Sequence, residues 1–366
     1  MSRIKKFIID LRPLQSYKYG GVQTVNRLFI DEIVKKLKSD QEIVFFSSGF
    51  KKPKIHLDKL ASYLKKSNIR HKHLKVPNIL LNLSLAFFNW PKIDKLAYKK
   101  LNFKSKRRNQ QKISYLCLDI RPFALSKISQ SFIYFHDLAF KYCKNSLSAR
   151  ARLYFWLIRP KNIYKKARLV LSNSDYSRRI LVKNYGKKAI KIVYPSINKP
   201  EGIHPDYKIK NKTRQILCIQ TLQKRKNLEL IYKIAQANLD HKFKIIGSGQ
   251  NCFKSAKKLQ LTNIEFLSNI NDQEKFKLIQ ESKALLYTSK FEGFGLPIYE
   301  ALVYKTPVIC LKTQPYKQLF HKIGLNYIQE LKDYKIPNDL IKPKNPYKYN
   351  LRLCGQQLYK MLVKNR

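Results

Sequence analysis

Apolar and polar positions along this chain follow two alternating periods. Short apolar runs bounded by turn residues read as buried strands, and apolar positions at three- and four-residue spacing read as amphipathic helices. I-K-K-F-I-I-D-L predicts a first strand. Behind it Gly20-Gly21 opens a helix with Val25, Leu28, Phe29, Ile33 and Leu37 at helical spacing. E-I-V-F-F-S, K-I-S-Y-L-C-L-D, S-F-I-Y-F-H-D-L, A-R-L-V-L-S-N-S and K-I-V-Y-P predict further strands. Between them lie a helical stretch containing Phe155, Trp156, Ile158 and Ile163, then a helix D-Y-S-R-R-I-L-V-K. Residues 51–112 show no period and read as irregular and lysine-rich.

The alternation restarts after residue 212. R-Q-I-L-C-I-Q-T-L, F-K-I-I-G-S-G-Q, N-I-E-F-L-S, A-L-L-Y-T-S and P-V-I-C-L predict strands, with helices over Asn227–Ala237 and Gln273–Ser282. Strands alternating with helices imply α/β domains with mostly parallel sheets. The 366 residues suit two such domains. Ser196–Lys212 carries Pro, Gly and charge without a period and reads as the linker. The expected division is a domain over 1–195, a linker over 196–212, a second domain over 213–345 and a terminal helix over 346–366. Leu351, Leu358, Met361 and Leu362 lie at helical spacing in that last segment, a candidate to pack back on the first domain.

Composition narrows the class. A hydrophobic content of 44% allows each half a core, so the chain is globular despite a formal charge of +52. The six cysteines lie far apart with no Cys-x-x-Cys pair, which favours a reducing compartment over zinc or a disulfide framework. M-S-R-I-K-K-F-I-I-D-L-R-P-L reads as a strand, not a signal peptide. The longest apolar run, Ile79–Trp90, is shorter than the about 20 residues a bilayer requires. Of the 75 basic residues 58 are lysine, a pattern that codon bias alone can produce. The charge is uneven, however. Residues 51–112 hold 18 Lys/Arg against Asp58 and Asp94, whereas residues 271–310 hold five of each sign. A basic first half makes an anionic membrane surface a candidate partner. Nucleic acid is not expected, since no recognised motif accompanies the charge.

The densest chemistry lies in S-K-F-E-G-F-G-L-P-I-Y-E-A-L, Ser289–Leu302. It reads as a glycine turn after a buried strand, then a helix with Pro297 in its first turn. Such a helix start attracts anions, and Gly293 and Gly295 allow a ligand close to the backbone. Glu292 in the turn and Glu300 at the helix start can face one cleft. Elsewhere, the strand R-Q-I-L-C-I-Q is followed by T-L-Q-K-R-K-N-L, and F-H-D-L places His136 at a strand end.

Taken together, I-I-D-L-R-P-L…G-G-V-Q-T-V-N-R-L, F-H-D-L, A-R-L-V-L-S-N-S-D-Y-S-R-R-I-L, T-L-Q-K-R-K-N-L, F-K-I-I-G-S-G, N-I-E-F-L and F-E-G-F-G-L-P-I-Y-E-A-L resemble a retaining glycosyltransferase of the family-4 type. The resemblance covers nearly the whole length. It implies a GT-B fold, with two Rossmann-like domains facing each other across a central cleft, the first for the acceptor and the second for a nucleotide sugar. It implies that Arg225 and Lys226 hold the donor diphosphate, where fixed cations stabilise the departing charge. By the same resemblance His136 contacts the donor sugar near the reacting carbon, with Asp137 orienting it. Gly20 and Gly21 approach donor phosphate and acceptor. Glu292 binds sugar hydroxyls, Glu300 grips the ribose, and Ile270, after Asn269, lies where the base is contacted. Gly293, Phe294, Gly295 and Leu296 offer the donor their backbone.

The implied activity is transfer of a mannose-, glucose- or galactose-type sugar, with retention, to a glycan or lipid-linked acceptor. The implied setting is cell-surface polysaccharide or lipopolysaccharide synthesis, in the cytoplasm or peripherally at the inner membrane face. No metal or other cofactor is expected: Asp-x-Asp does not occur, and His71 and His73 lack partners at metal spacing. G-S-G-Q-N-C has Cys252 where a dinucleotide fingerprint needs glycine. The chain also departs from the family. Gln220 replaces a usual glycine, Y-P-S-I-N replaces Pro-x-Gly, and L-K-T-Q-P-Y-K follows P-V-I. The competing expectation is a catalytically degenerate relative that binds polyanions or membrane surfaces.

Overall fold

The computed structural model describes residues 5–15, 20–50, 55, 57, 59–98, 112–195, 197, 202, 213–220, 223–247, 261–320, 323–344 and 351–364. Most of the expected linker, Thr221–Leu222 and Ser248–Cys252 lie outside these residues. Two compact units result. The first comprises Met1–Leu138, Ala149–Ser196 and Leu351–Arg366, and the second Ala139–Ser148 and Ile197–Asn350.

The chain runs β1 (Lys5–Asp10), α1 (Gly21–Lys35), β2 (Gln41–Ser48), α2 (Leu60–Leu64), β3 (Ile69–Leu74), α3 (Asn78–Phe87) and α4 (Ile93–Ala97). It continues with β4 (Ile113–Cys117), β5 (Ser129–Phe135), α5 (Ala139–Tyr142), α6 (Ala149–Ile158), α7 (Pro160–Lys166), β6 (Leu169–Ser172), α8 (Asp175–Tyr185) and β7 (Ile190–Ile192). The seven strands form one parallel sheet in the order β3-β2-β1-β4-β5-β6-β7. Strands covered on both faces read as continuous apolar runs, and Ile8, Ile9, Phe45, Tyr115 and Ile133 are all buried.

Residues 51–112 are not irregular as the sequence suggests, for α2, β3, α3 and α4 lie there. The missed strand, I-R-H-K-H-L, is the sheet's edge and pairs with β2 alone. Charged residues protect such an edge from further pairing and mask the apolar signal. Both ring nitrogens of its H-K-H pair that approach Ser47 Oγ do so from this strand, at 2.7 Å from His71 and 2.9 Å from His73. The helical stretch around Trp156 is two helices. Arg159 adopts φ +50° before Pro160, which starts α7 and cannot continue α6.

The second unit holds β8 (Thr213–Ile219), α9 (Leu228–Ala237), β9 (Lys242–Ile246), β10 (Ile264–Leu267), α10 (Asp272–Glu281), β11 (Ser282–Tyr287) and α11 (Leu296–Val303). β12 (Val308–Cys310), α12 (Gln314–Phe320) and β13 (Asn326–Tyr327) complete it. Its parallel sheet has the order β10-β9-β8-β11-β12-β13. α13 (Leu351–Lys364) packs on α1 of the first unit, with Leu358 and Leu362 buried and Tyr359 bonded to Gln41 at 2.9 Å. In both sheets the strand order reverses once in mid-sheet, between β1 and β4 and between β8 and β11. Loops leave in opposite directions there, opening a crevice at the carboxyl ends of the strands.

A buried ion pair closes the first of these points. Arg12 donates to Asp10 from Nε at 3.0 Å and from NH2 at 2.6 Å, and to Asn82 Oδ1 at 2.8 Å and the Pro122 carbonyl at 2.9 Å. Burial alone would raise the Asp10 pKa, but the Arg12 guanidinium and the Tyr115 hydroxyl hold it below the ordinary range. Both side chains are fully buried, so removing one strands the other in a low dielectric. Arg12→Met should therefore cost about 3–5 kcal/mol, read as an earlier chemical-denaturation transition of the first unit. The exposed pair Arg178–Asp175 is the control, and Arg178→Ala should cost less than about 1 kcal/mol.

Candidate functional site

The carboxyl ends of β8 and β11 carry the two loops that the sequence singles out. After β8 the chain makes a short turn over Lys224–Lys226, and Asn227 reverses it with φ +56°. After β11 the buried Thr288 and Ser289 lead into F-E-G-F-G, which ends at Gly295 with φ +87° as the cap of α11. A Cβ on Gly295 would stand 3.0 Å from Tyr316, so both backbone and space require glycine there. Two bonds clip the loops together: Lys290 N–H to the Arg225 carbonyl at 2.8 Å, and Thr288 Oγ1 to the Lys226 carbonyl at 2.7 Å.

This register brings Arg225, Lys226 and Glu292 into one cluster. Glu292 Oε1 accepts from Lys226 Nζ at 2.5 Å, Arg225 NH1 at 2.6 Å and Ser289 Oγ at 2.7 Å. All three bonds converge on Oε1, and Oε2 stands outside that set. Burial would raise the Glu292 pKa, but Lys226 and Arg225 outweigh it and hold the carboxyl down at about 2. Lys226 also donates to the Tyr287 hydroxyl at 2.8 Å. Burial and the nearby Glu292 push that phenol far up, so it stays protonated. Arg225 additionally donates to the Phe291 carbonyl at 2.9 Å. Sequence reasoning missed Tyr287, Ser289 and Thr288. The signal was present in the strand end A-L-L-Y-T-S, whose last residues continue into the loop. It also missed Tyr142 of α5, which stacks on Phe291 with centroids 5.4 Å apart. Nothing in the local sequence links those two positions.

The other expected donor residues of this unit are placed around the cluster. Glu300, buried on α11, pairs with Lys275 of α10 at 2.8 Å. Burial pushes its pKa up, partly offset by Lys275. Half-buried Ile270 precedes α10, whose first turn is closed by an Asn271–Glu274 capping box. Gly293 and Phe294 are buried and Leu296 half-buried. The Phe294 ring packs edge-on against Tyr299 and Phe320, so its backbone is what can face a ligand. Gln220, where the strand end departs from glycine, is buried with its Nε2 unpartnered among the described residues.

Three expected residues lie in the first unit. His136 follows β5 and directs Nε2 at the Leu118 carbonyl, 2.9 Å, and at Asn26 Oδ1, 3.1 Å. Two acceptors at one nitrogen require the proton there. Burial lowers the pKa of the ring below its ordinary value, so it is neutral at pH 7. Gly20 caps α1 in an extended conformation open to any residue, and Gly21 begins the helix, exposed. A Cβ on Gly20 would touch only Gln23 Oε1, at 3.5 Å. Neither backbone nor packing explains this glycine. Among the described residues no group of three or more His, Cys, Asp or Glu could hold a metal ion.

Two parallel α/β units with these strand orders define a GT-B fold, which Anabaena Alr3699/HepE, solved in complex with UDP-glucose, shares with a TM-score of 0.56. That alignment covers 98% of this chain and 89% of the other at 15% identity. Residues 200–324 match the family glycosyl transferases group 1. The chain is 28% identical over 191 residues to the Alpha-1,3/1,6-mannosyltransferase ALG2 of Kluyveromyces lactis, covering 39% of this chain and 38% of that one. It is 27% identical over 182 residues to the O-antigen chain mannosyltransferase RfbU of Salmonella typhimurium, covering 48% and 50%. The chain thus spans half or less of the length of these curated relatives.

Two outcomes follow from this geometry. Because the folded pKa of Glu292 lies below its ordinary 4.5, the cluster stabilises fully above pH 4.5 and fades as pH falls toward 2. The loss over that window is on the order of 3 kcal/mol. Acid denaturation of the wild type should therefore be steeper by that amount than that of Glu292→Gln. The two glycines should also separate. Gly247→Ala sets a Cβ 2.3 Å from the Gln220 carbonyl and should destabilise by about 1–3 kcal/mol. Gly20→Ala should change stability by less than about 0.5 kcal/mol in the same denaturation assay.

Proposed function

We propose that this chain transfers a sugar, with retention, from a nucleotide diphosphate sugar to a hydroxyl of a glycan or lipid-linked acceptor. The observation that carries the reading is the Arg225–Glu292–Lys226 cluster at the strand-order reversal of a group 1 unit. As the glycosidic bond breaks, the departing nucleoside diphosphate gains negative charge, and two fixed cations at this point stabilise it without a metal. Glu292 holds both cations in place through Oε1, which leaves Oε2 to accept from a sugar hydroxyl. The Gly293–Leu296 backbone at the start of α11 faces the diphosphate, Glu300 the ribose and Ile270 the base.

The first unit takes the acceptor in this reading. Gly20 and Gly21 keep the start of α1 bare for a close approach, and neutral His136 serves as a hydrogen-bonding group, not a charge. The acceptor hydroxyl attacks the anomeric carbon on the face the phosphate leaves. Its proton passes to a phosphate oxygen of the departing diphosphate, so no protein nucleophile is required. The mannosyltransferase names of two relatives support a mannose-type donor, and the O-antigen chain named for one of them supports a cell-surface glycan product. In this reading the enzyme works in the cytoplasm, at the inner face of the membrane.

A thermal-shift screen over UDP-, GDP- and ADP-sugars identifies the donor, because a ligand of the native state raises its melting temperature. With that donor, Lys226→Ala and Glu292→Gln, each confirmed folded, should lower turnover by about 10²–10³-fold. Wild-type turnover in both variants would overturn the site. Heparin binding with no nucleotide response would favour the catalytically degenerate alternative.

A further inference from the structure

We infer that the face built by α3 and α6 docks the protein on an anionic lipid bilayer. On α3, Leu81, Asn82 and Leu85 are buried. The opposite side shows Ile79, Leu80 and Phe87 to solvent, with half-buried Leu83 completing a stripe at helical spacing. α6 packs beside it, joined by a bond from Asn82 to the Tyr154 hydroxyl at 3.1 Å, and exposes Leu153 and Trp156 one turn apart. The turn after α3 adds Phe88 and Trp90. Phe88 is 79% exposed, Trp156 73% and Trp90 66%. The chain has two tryptophans, and both lie here.

Cations surround this apolar ground. The Arg159 guanidinium lies 4.5 Å over the Phe87 ring, and Lys166 bonds Asn89 at 2.6 Å. Arg150 and Arg152 are exposed on α6. Residues 75–98 and 149–166 together hold nine Lys/Arg against Asp94 alone. Asp94 is buried and occupied by Ser126 and Ser129, so it does not offset the charge.

This combination selects its occupant. Aliphatic side chains and Phe88 gain by entering hydrocarbon, tryptophan favours the depth of the headgroups, and Lys/Arg are drawn to acidic lipid. A polyanion such as nucleic acid would use the cations but gain nothing from Ile79, Leu80 and Leu153. A second copy meeting through the same face would set its cations against their equals, a repulsive arrangement. The inference does not depend on the transfer reading; it adds the surface at which a lipid-linked acceptor would be met.

The test is co-sedimentation of the full chain with vesicles of phosphatidylcholine, alone or mixed with phosphatidylglycerol, while the fluorescence of Trp90 and Trp156 is followed. The expected result is binding to the mixed vesicles, weakened by salt and accompanied by a blue shift. Phe88→Ser/Trp156→Ser should abolish binding, and Arg150→Glu/Arg152→Glu should reduce partitioning by more than about tenfold. All four positions are exposed, and nucleotide-induced melting shifts should match wild type in both variants. Vesicle binding without a blue shift, or unchanged in these variants, would overturn the surface. So would a dimer that the variants dissociate, without vesicle binding. Absence of any nucleotide response would count against the transfer reading and leave the docking result standing.

Discussion

A buried carboxylate shared by two cations organises the second unit. Glu292 accepts from Arg225 and Lys226 through a single oxygen, and Ser289 reinforces it. In a chain of net charge +52, two cations on adjacent residues would repel each other and splay apart into solvent. The carboxylate between them reverses that balance, and the low dielectric makes the attraction strong. It also ties the loop after β8 to the loop after β11, the two strands that flank the reversal of strand order. The crevice of the sheet and the charges lining it are thus fixed by one set of bonds.

The first unit solves the same geometric problem with different chemistry. Its reversal lies between β1 and β4, and there Asp10 and Arg12 neutralise each other out of contact with water. The buried pair anchors α3 through Asn82 and the loop that follows β4 through Pro122. Beside that pair, at the carboxyl ends of the same strands, stand His136, deprived of charge by burial, the Arg121–Asp119 ion pair and the bare start of α1.

The positive charge as a whole is too diffuse to name a partner, and lysine-rich composition explains much of it. Its meaning changes where apolar residues interrupt it. On α3 and α6 the cations frame exposed aromatic and aliphatic side chains, and the acids are absent or buried. Hydrophobic exposure of this kind is costly in water and is informative for that reason.

The alternation of apolar runs and amphipathic stretches was enough to place nearly every central strand and the α/β class, because strands buried on both faces must be apolar throughout. Edge strand β3 and the short β13 escaped, since an edge needs few apolar residues and gains from charged ones. Glu292, Arg225 and Lys226 were legible as candidates from their motifs, each at the end of a predicted strand. That all three share one oxygen, that Glu300 turns to Lys275 and that Tyr142 stacks beneath the loop were decided only in three dimensions. Local sequence fixes period, turn and charge; parallel strand order then joins segments tens of residues apart, and no local pattern encodes which side chains meet there.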